Sequence, residues 1–293
     1  MTDFRHILFP VDFSPICYAS IPAVKEMVQQ YKARLTLLHV VEIPLSWYGS
    51  MASAAPEDWD ILEQAYQAGG KRLTDFAADH FGELNAESRL ETLCDKGDPA
   101  NAILALADET KPDLIMMPTH GYGPFRNFVL GAVTTRVLHR AHCPLWTSAH
   151  SEAEAAKLPG IRKILCAIDL KTQRVDLIHS TVALAKKLSA EAALVCSIPL
   201  QDAGPVANFG ADFDQYLAET AKSDMAALQK QAGTNLKAYV ENGPVEEVVK
   251  AAALDYGADL VVIGRGSMQK PLGRLTSHAY AIIRNAPCPV LSL

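Results

Sequence analysis

No stretch of the chain approaches the about 20 consecutive apolar residues that a membrane-spanning helix needs. The opening MTDFRHILFPVDF also lacks the charged-then-apolar layout of a secretory leader. An excess of basic charge is absent: the formal net charge is −6 at pH 7, so any site for an anion must be local, and neither nucleic acid nor anionic lipid is an expected partner. Cysteine is present but unpatterned. Cys17, Cys94, Cys143, Cys166, Cys196 and Cys288 include no C-x-x-C pair, and reduced, mostly buried thiols are the expectation. Catalytic signatures are missing as well: no G-x-x-x-x-G-K-[ST] loop, no G-x-S-x-G elbow, no H-E-x-x-H, and no nucleophile beside its base. What remains is a soluble, cytoplasmic chain whose chemistry is binding before catalysis.

What is present is an internal repeat. The 293 residues, 49% hydrophobic and 20% charged, suffice for two domains of common size. MMPTHGYGPFRNFVLGAVTTRVLHRAHCPL, from Met116 to Leu145, answers to VIGRGSMQKPLGRLTSHAYAIIRNAPCPV, from Val262 to Val290. Each leaves an apolar strand, passes a glycine-bearing loop, enters an amphipathic helix and ends at Cys-Pro. Asp12 in ILFPVDF answers to Asp169 in ILCAIDL, Asp113 in PDLIMMP to Asp259 in ADLVVIG, and Cys143 to Cys288. The second copy is the shorter, chiefly after its second strand, where the first carries IPLSWYGSMASAAPEDWD. The domains are therefore 1–148 and 160–293, joined by a polar linker over 149–159 that runs up to Pro159-Gly160.

Inside each copy, apolar strands alternate with helices. In the first, HILFPV, RLTLLHVV, RLETLC, DLIMMP and PLWTS read as strands; in the second, KILCAI, ALVCSI, LKAYVE, DLVVIG and VLSL. Ile21, Val24, Met27, Val28 and Tyr31 mark the inward face of the first helix, with Pro22 predicting a kink or a start at Ser20. The next helix runs through Ile61, Leu62, Ala65, Tyr66, Leu73, Phe76 and Ala77. A third turns Ile103, Leu106 and Ala107 inward, with Asp98 as its cap and Pro99 at its first position. Residues 126–140 predict the last. This is an α/β fold of two Rossmann-like domains, each an open five-stranded parallel sheet with helices on both faces. The first and fourth strands then end together at a switch point, where ligands bind in such sheets, and Asp12 meets the Pro118–Gly123 loop there.

ILFPVDFS, LLHVVE, KGDPANAI, DLIMMPTHGYG and LGAVTTRVLHRAHCPL, in that order, resemble the universal stress protein family in its tandem two-domain form. The resemblance implies a role in stress survival and, for part of the family, binding of ATP or a related adenine nucleotide, with Mg as an optional companion. The ATP-binding part carries G-x-x-G-x9-G-[ST]. In domain one these positions hold Pro118, Gly121, Gly131 and Ala132, so the first glycine and the hydroxyl are replaced. The N–H groups of Ala132 and Val133 survive; a lost hydrogen bond to a charged partner is worth roughly 1.5–3 kcal/mol, about ten- to hundredfold in affinity. Asp12 and Val40 match the family's base and ribose end. In domain two the matching residues are Asp169, Gly264, Gly266 and Ser277, but Thr276 replaces the third glycine and Ser197 stands at the place of Val40. Arg265, Lys270 and Arg274 supply charge there, and the expectation is a degenerate site in domain one and a weaker one in domain two.

Plainer readings stand beside these. Asp12 and Asp169 could simply cap helices. His139, His142 and Cys143 form H-x-x-H-C, read as a helix end before a buried strand in preference to a metal site. His120 reads as a surface loop residue, and Trp47, Tyr48 and Trp59 as satellite packing. The functional expectation is a nucleotide-responsive regulator of the stress response. Its alternatives are a scaffold that binds no nucleotide and acts on an unknown protein partner, and a weak ATP hydrolase, aided by His120 or Arg126, or binder of another small ligand. The last strands, PLWTS and VLSL, predict an intramolecular pseudo-dimer, with a homodimer as the further assembly considered.

Overall fold

The computed structural model describes residues 3–43, 56–121, 130–148, 160–172, 174–198, 211–265 and 277–293, without the side chains of 56–59, 211–214 and 277. Trp47, Tyr48 and the linker through residue 159 lie outside the described residues, as does the side chain of Trp59. Two compact units emerge, Asp3–Trp146 and Thr147–Leu293.

The first contains β1 (His6–Pro10), α1 (Pro15–Tyr31), β2 (Arg34–Glu42), α2 (Pro56–Ala86), β3 (Leu90–Gly97), α3 (Pro99–Thr110), β4 (Leu114–Met117), α4 (Ala132–Arg140) and β5 (Leu145–Thr147). Its strands lie in the order β3-β2-β1-β4-β5. The β1–β2, β1–β4 and β2–β3 pairs are parallel. The second contains β6 (Lys163–Ala167), α5 (Val175–Leu188), β7 (Glu191–Ile198), α6 (Ala211–Ala232), β8 (Lys237–Asn242), α7 (Val245–Tyr256), β9 (Leu260–Ile263), α8 (Ser277–Asn285) and β10 (Val290–Ser292). Its order, β10-β9-β6-β7-β8, repeats the first, with every pair parallel. All ten strands occur where the apolar runs place them.

The physical reason is burial on both faces. Ile7, Leu8, Phe9, Leu35, Leu37, Leu114 and Ile115 are all fully buried, so consecutive side chains of β1 and β4 need cover on either side. Right-handed crossovers supply it, with α1 and α2 on one face and α3 and α4 on the other. Asp113 and Asp259 explain their equivalence here. One carboxylate oxygen of Asp113 accepts the N–H groups of Arg5 and His6, each at 2.9 Å, and Asp259 does the same for Arg162 and Lys163. Each aspartate thus sets the register of a fourth strand against a first.

The first helix departs from expectation. It begins at Pro15, where Ser14 caps it through the Cys17 N–H, and it runs through Pro22 without a break. Proline at the first position lacks only an N–H that would be unpaired anyway, and two residues before Pro22 the Ser20 hydroxyl bonds the Ile16 carbonyl at 2.7 Å. Asp98 caps α3 as expected, accepting the Asn101 N–H at 2.8 Å with Pro99 following. Ile61, 56% exposed, and Ala65, also exposed, lie outside the inward face assigned to α2, and Tyr66 is half-buried, whereas Leu62, Leu73, Phe76 and Ala77 are buried. In α3, Leu104 is buried beside Ile103 and Ala107, and Leu106 is only partly covered.

Candidate functional site

At the carboxyl ends of β1 and β4 the first unit opens a crevice at its switch point. Asp12, exposed, leaves β1 there and takes the N–H and hydroxyl of Ser14 on Oδ1, at 2.9 and 2.6 Å. The cap of α1 is therefore Ser14, and Asp12 is held one step before it. Oδ2 turns to the loop after β4, where a Cβ added at Gly121 would fall 2.5 Å from it. No side chain fits between them unless the Asp12 carboxylate shifts, so Gly121 permits this approach. The structure thus brings Asp12 and Gly121 together, as the switch-point topology predicts.

The same loop joins Gly131. The Gly131 N–H donates to the Thr119 carbonyl at 2.8 Å, and an added Cβ would lie 3.3 Å from Thr119 O and His120 Cα. Thr134 in α4 donates its hydroxyl to the Pro118 carbonyl at 2.9 Å, tying loop to helix. Gly131 caps α4 without any side-chain hydrogen bond. Helix geometry then leaves the N–H groups of Ala132, Val133 and Thr134 without an intrahelical acceptor, the arrangement that receives an anion. Gly131 itself spends its donor on the loop, so the family's glycine acts here through its small size. Val40 sits half-buried near the end of β2.

Beside Asp12 stands a group that the sequence reading missed. Phe13 is left-handed, φ 58°, a conformation costing roughly 1–2 kcal/mol for a residue with a side chain. It turns the ring inward against His39 and Phe76, at 4.6 and 5.8 Å between centroids. The guanidinium of Arg72, from α2, lies 4.1 Å from the centre of that ring. His39 donates from Nδ1 to the Val11 carbonyl at 2.8 Å. Burial, helped by Arg72, holds its pKa below the usual histidine value against the opposing pull of the Val11 carbonyl and Asp12. The signal in the sequence was Gly69-Gly70 within a helix, which marks a close approach. A Cβ at Gly69 would lie 3.0 Å from Val41 and 3.1 Å from the His39 ring.

In the second unit Asp169, also exposed, leaves β6 and accepts the Lys171 N–H at 2.9 Å. It does not cap α5, whose cap position is Arg174. Arg174 lies across the start of the β9 loop: Nη1 donates to the Arg265 carbonyl at 3.4 Å and would be 3.7 Å from a Cβ on Gly264. Asp176 holds the same guanidinium at 2.6 to 3.0 Å. An arginine at a cap position that Ser14 fills in the first unit was the signal available for it. Ser197, in the place of Val40, donates its hydroxyl to the Gly243 carbonyl at 2.6 Å. Gly266, Lys270, Arg274 and Thr276 lie outside the described residues, as does the side chain of Ser277, the first residue of α8. Asp169 and Gly264 thus stand at one switch point, with Arg174 over the glycine.

Among the described residues no group of His, Cys, Asp and Glu is arranged to hold a metal ion, His139, His142 and Cys143 included. His139 and Arg140 end α4, where positive charge suits the helix dipole. His120 is half-buried beside Gly121, and Arg126 lies outside the described residues. Cys17, Cys94, Cys166 and Cys196 are free thiols. Burial pushes Cys17 and Cys166 up to about 12 and Cys196 to about 11, so none of the three supplies a thiolate.

A model described as the universal stress protein family matches residues 3–148 and again residues 160–293. The chain belongs to the universal stress protein family. Single-domain relatives match one half of it. A universal stress protein of Methanocaldococcus jannaschii is 25% identical over 142 residues, 48% of this chain and 80% of the relative. One from Thermus aquaticus is 29% identical over 142 residues, 48% of this chain and 96% of the relative. The solved universal stress protein of Archaeoglobus fulgidus covers 98% of this chain and 97% of its own, with a TM-score of 0.68 at 16% identity. That likeness concerns the fold: two universal-stress-protein domains in tandem.

Proposed function

We propose that this universal stress protein responds to an adenine nucleotide of the ATP type, with or without Mg, bound in domain one across Asp12, Val40, Gly121, Gly131, Ala132 and Val133. One observation carries the reading. The Thr119–Gly121 loop touches both Asp12 and Gly131, so a carboxylate and an uncapped helix start face one switch-point crevice. The helix start receives phosphate and the β1–β2 side receives base and ribose. Domain two is the weaker site. Asp169, Gly264, Gly266 and Ser277 are its family positions, and Arg174 lies against Gly264 with its charge already paired to Asp176.

Titration calorimetry with ATP and Mg tests this. The expected result is about one nucleotide per chain, lost in Gly131→Val, while circular dichroism and the melting transition show a folded variant. Unchanged affinity in that variant sinks the reading. A scaffold that binds no nucleotide is the second reading, supported by Pro118, which offers no N–H, and by Ala132, which offers no hydroxyl. Stoichiometric nucleotide in gently purified protein, detected by mass spectrometry after acid release, removes that alternative.

A further inference from the structure

Arg72 serves no role in the fold comparable to its placement. Among the described residues it makes no salt bridge and no hydrogen bond, although it lies on the exposed side of α2. The Cζ of its guanidinium lies over the Phe13 ring, 4.1 Å from the ring centre. That ring is buried and packed against His39 and Phe76, so the cation rests on a fixed apolar support. Phe13 directly follows Asp12 and has a left-handed backbone, and its ring carries Arg72. Arg72 therefore stands at the rim of the domain-one crevice.

Topology says which part of a ligand would meet it. Helix α4, whose start faces phosphate, follows β4, on one side of β1. Helix α2 packs on β2 and β3, on the other side of β1. A nucleotide lying across the crevice with its phosphates on α4 has its base on the Arg72 side. Resting on the nucleotide reading of domain one, we propose that Arg72 is the base platform: a purine stacks on the outer face of the guanidinium, completing a Phe13–Arg72–base stack.

A planar guanidinium suits this task for two reasons. It is weakly hydrated and stacks on π-systems with both faces, which an ammonium does not. Contact with Phe13 also positions the guanidinium before the ligand arrives, so less rotamer freedom is lost on binding. Stacking recognises the aromatic base and is indifferent to the number of phosphates. A phosphate-binding arginine would favour ATP over AMP.

The experiment is calorimetric titration of the full chain and of Arg72→Gln and Arg72→Lys with AMP, ATP and ribose 5-phosphate. The expected result is that both substitutions weaken AMP and ATP by one common factor, about five- to thirtyfold, and leave ribose 5-phosphate unchanged. Three results overturn the base platform: no loss in either variant, rescue by lysine, or a loss that grows from AMP to ATP. Failure of the unaltered chain to bind any nucleotide overturns the domain-one reading and the platform with it. Binding by the unaltered chain without an effect at Arg72 overturns only the platform. Arg72 is exposed on a helix, so melting temperatures within a few degrees of the parent identify folded variants.

Discussion

At the scale of single residues the crevice is defined by what cannot be added to it. Gly121 has an ordinary backbone, since its φ is not in the left-handed range, yet a methyl group there would sit 2.5 Å from the Asp12 carboxylate. That carboxylate is restrained by Ser14, so Gly121→Ala must push it out of place. Asp12 is exposed and can rotate into water, which keeps the cost to folding below about 1 kcal/mol. The expected outcome is a melting transition close to the parent's and a nucleotide affinity lower by about tenfold, measured by calorimetry. A variant that binds as the parent does would show that the carboxylate does not touch ligand. Gly131 differs, because its added carbon would meet backbone atoms at 3.3 Å and they cannot swing aside.

Among elements, α3 and α4 are coupled through Asp98. Its Oδ1 caps α3 while Oδ2 takes Arg136 of α4 at 2.6 Å, and Asn101 takes the same arginine at 3.0 Å. The Arg136 bond, with the Asn101 N–H adding to it, holds the Asp98 carboxyl below the ordinary aspartate value. Since Arg136 and Asp98 are both partly exposed, the pair adds less than about 1 kcal/mol, and the cap about 1 kcal/mol. Asp98→Ala should therefore lower the urea-unfolding free energy by about 1–2 kcal/mol and Arg136→Ala by less. Arg136→Ala should instead reduce nucleotide affinity, because the uncapped start of α4 loses its tether. Equal destabilisation by the two substitutions would contradict this division between cap and tether.

For the molecule as a whole, two histidines set a dependence on pH. His6 is buried at the start of β1, with Arg34 donating to Nδ1 at 3.0 Å and Nε2 facing the Thr36 hydroxyl at 2.8 Å. Burial first and Arg34 second lower its pKa, against the opposing Thr110 carbonyl, Asp113 and Glu91. His39 is lowered as well. A histidine lowered below 6.5 in the folded chain binds fewer protons than its unfolded counterpart near and below that pH. Its contribution is complete above 6.5 and is lost as the pH falls below it. Urea midpoints should drop between pH 7.5 and 5.5, and His6→Gln should flatten the decline. A parent profile that is flat over this window would refute it.

Much of this was legible in the sequence, because local physics wrote it there. Ten apolar strand segments, the cap at Asp98-Pro99, the repeat and the meeting of Asp12 with Gly121 follow from composition, spacing and the handedness of crossovers. Tertiary structure decided the rest. That α1 starts at Pro15 behind a Ser14 cap and continues through Pro22 was not readable from the chain, nor was the packing of Gly131 against the Thr119 carbonyl. Arg72 and Arg174 carry no motif; their positions depend on which helix packs beside which loop, across 59 positions from Phe13 in one case and 91 from Arg265 in the other. Periodicity reports which face of an element meets the core, whereas a charge resting on a ring or a carbonyl from a distant segment is fixed only when the chain has folded.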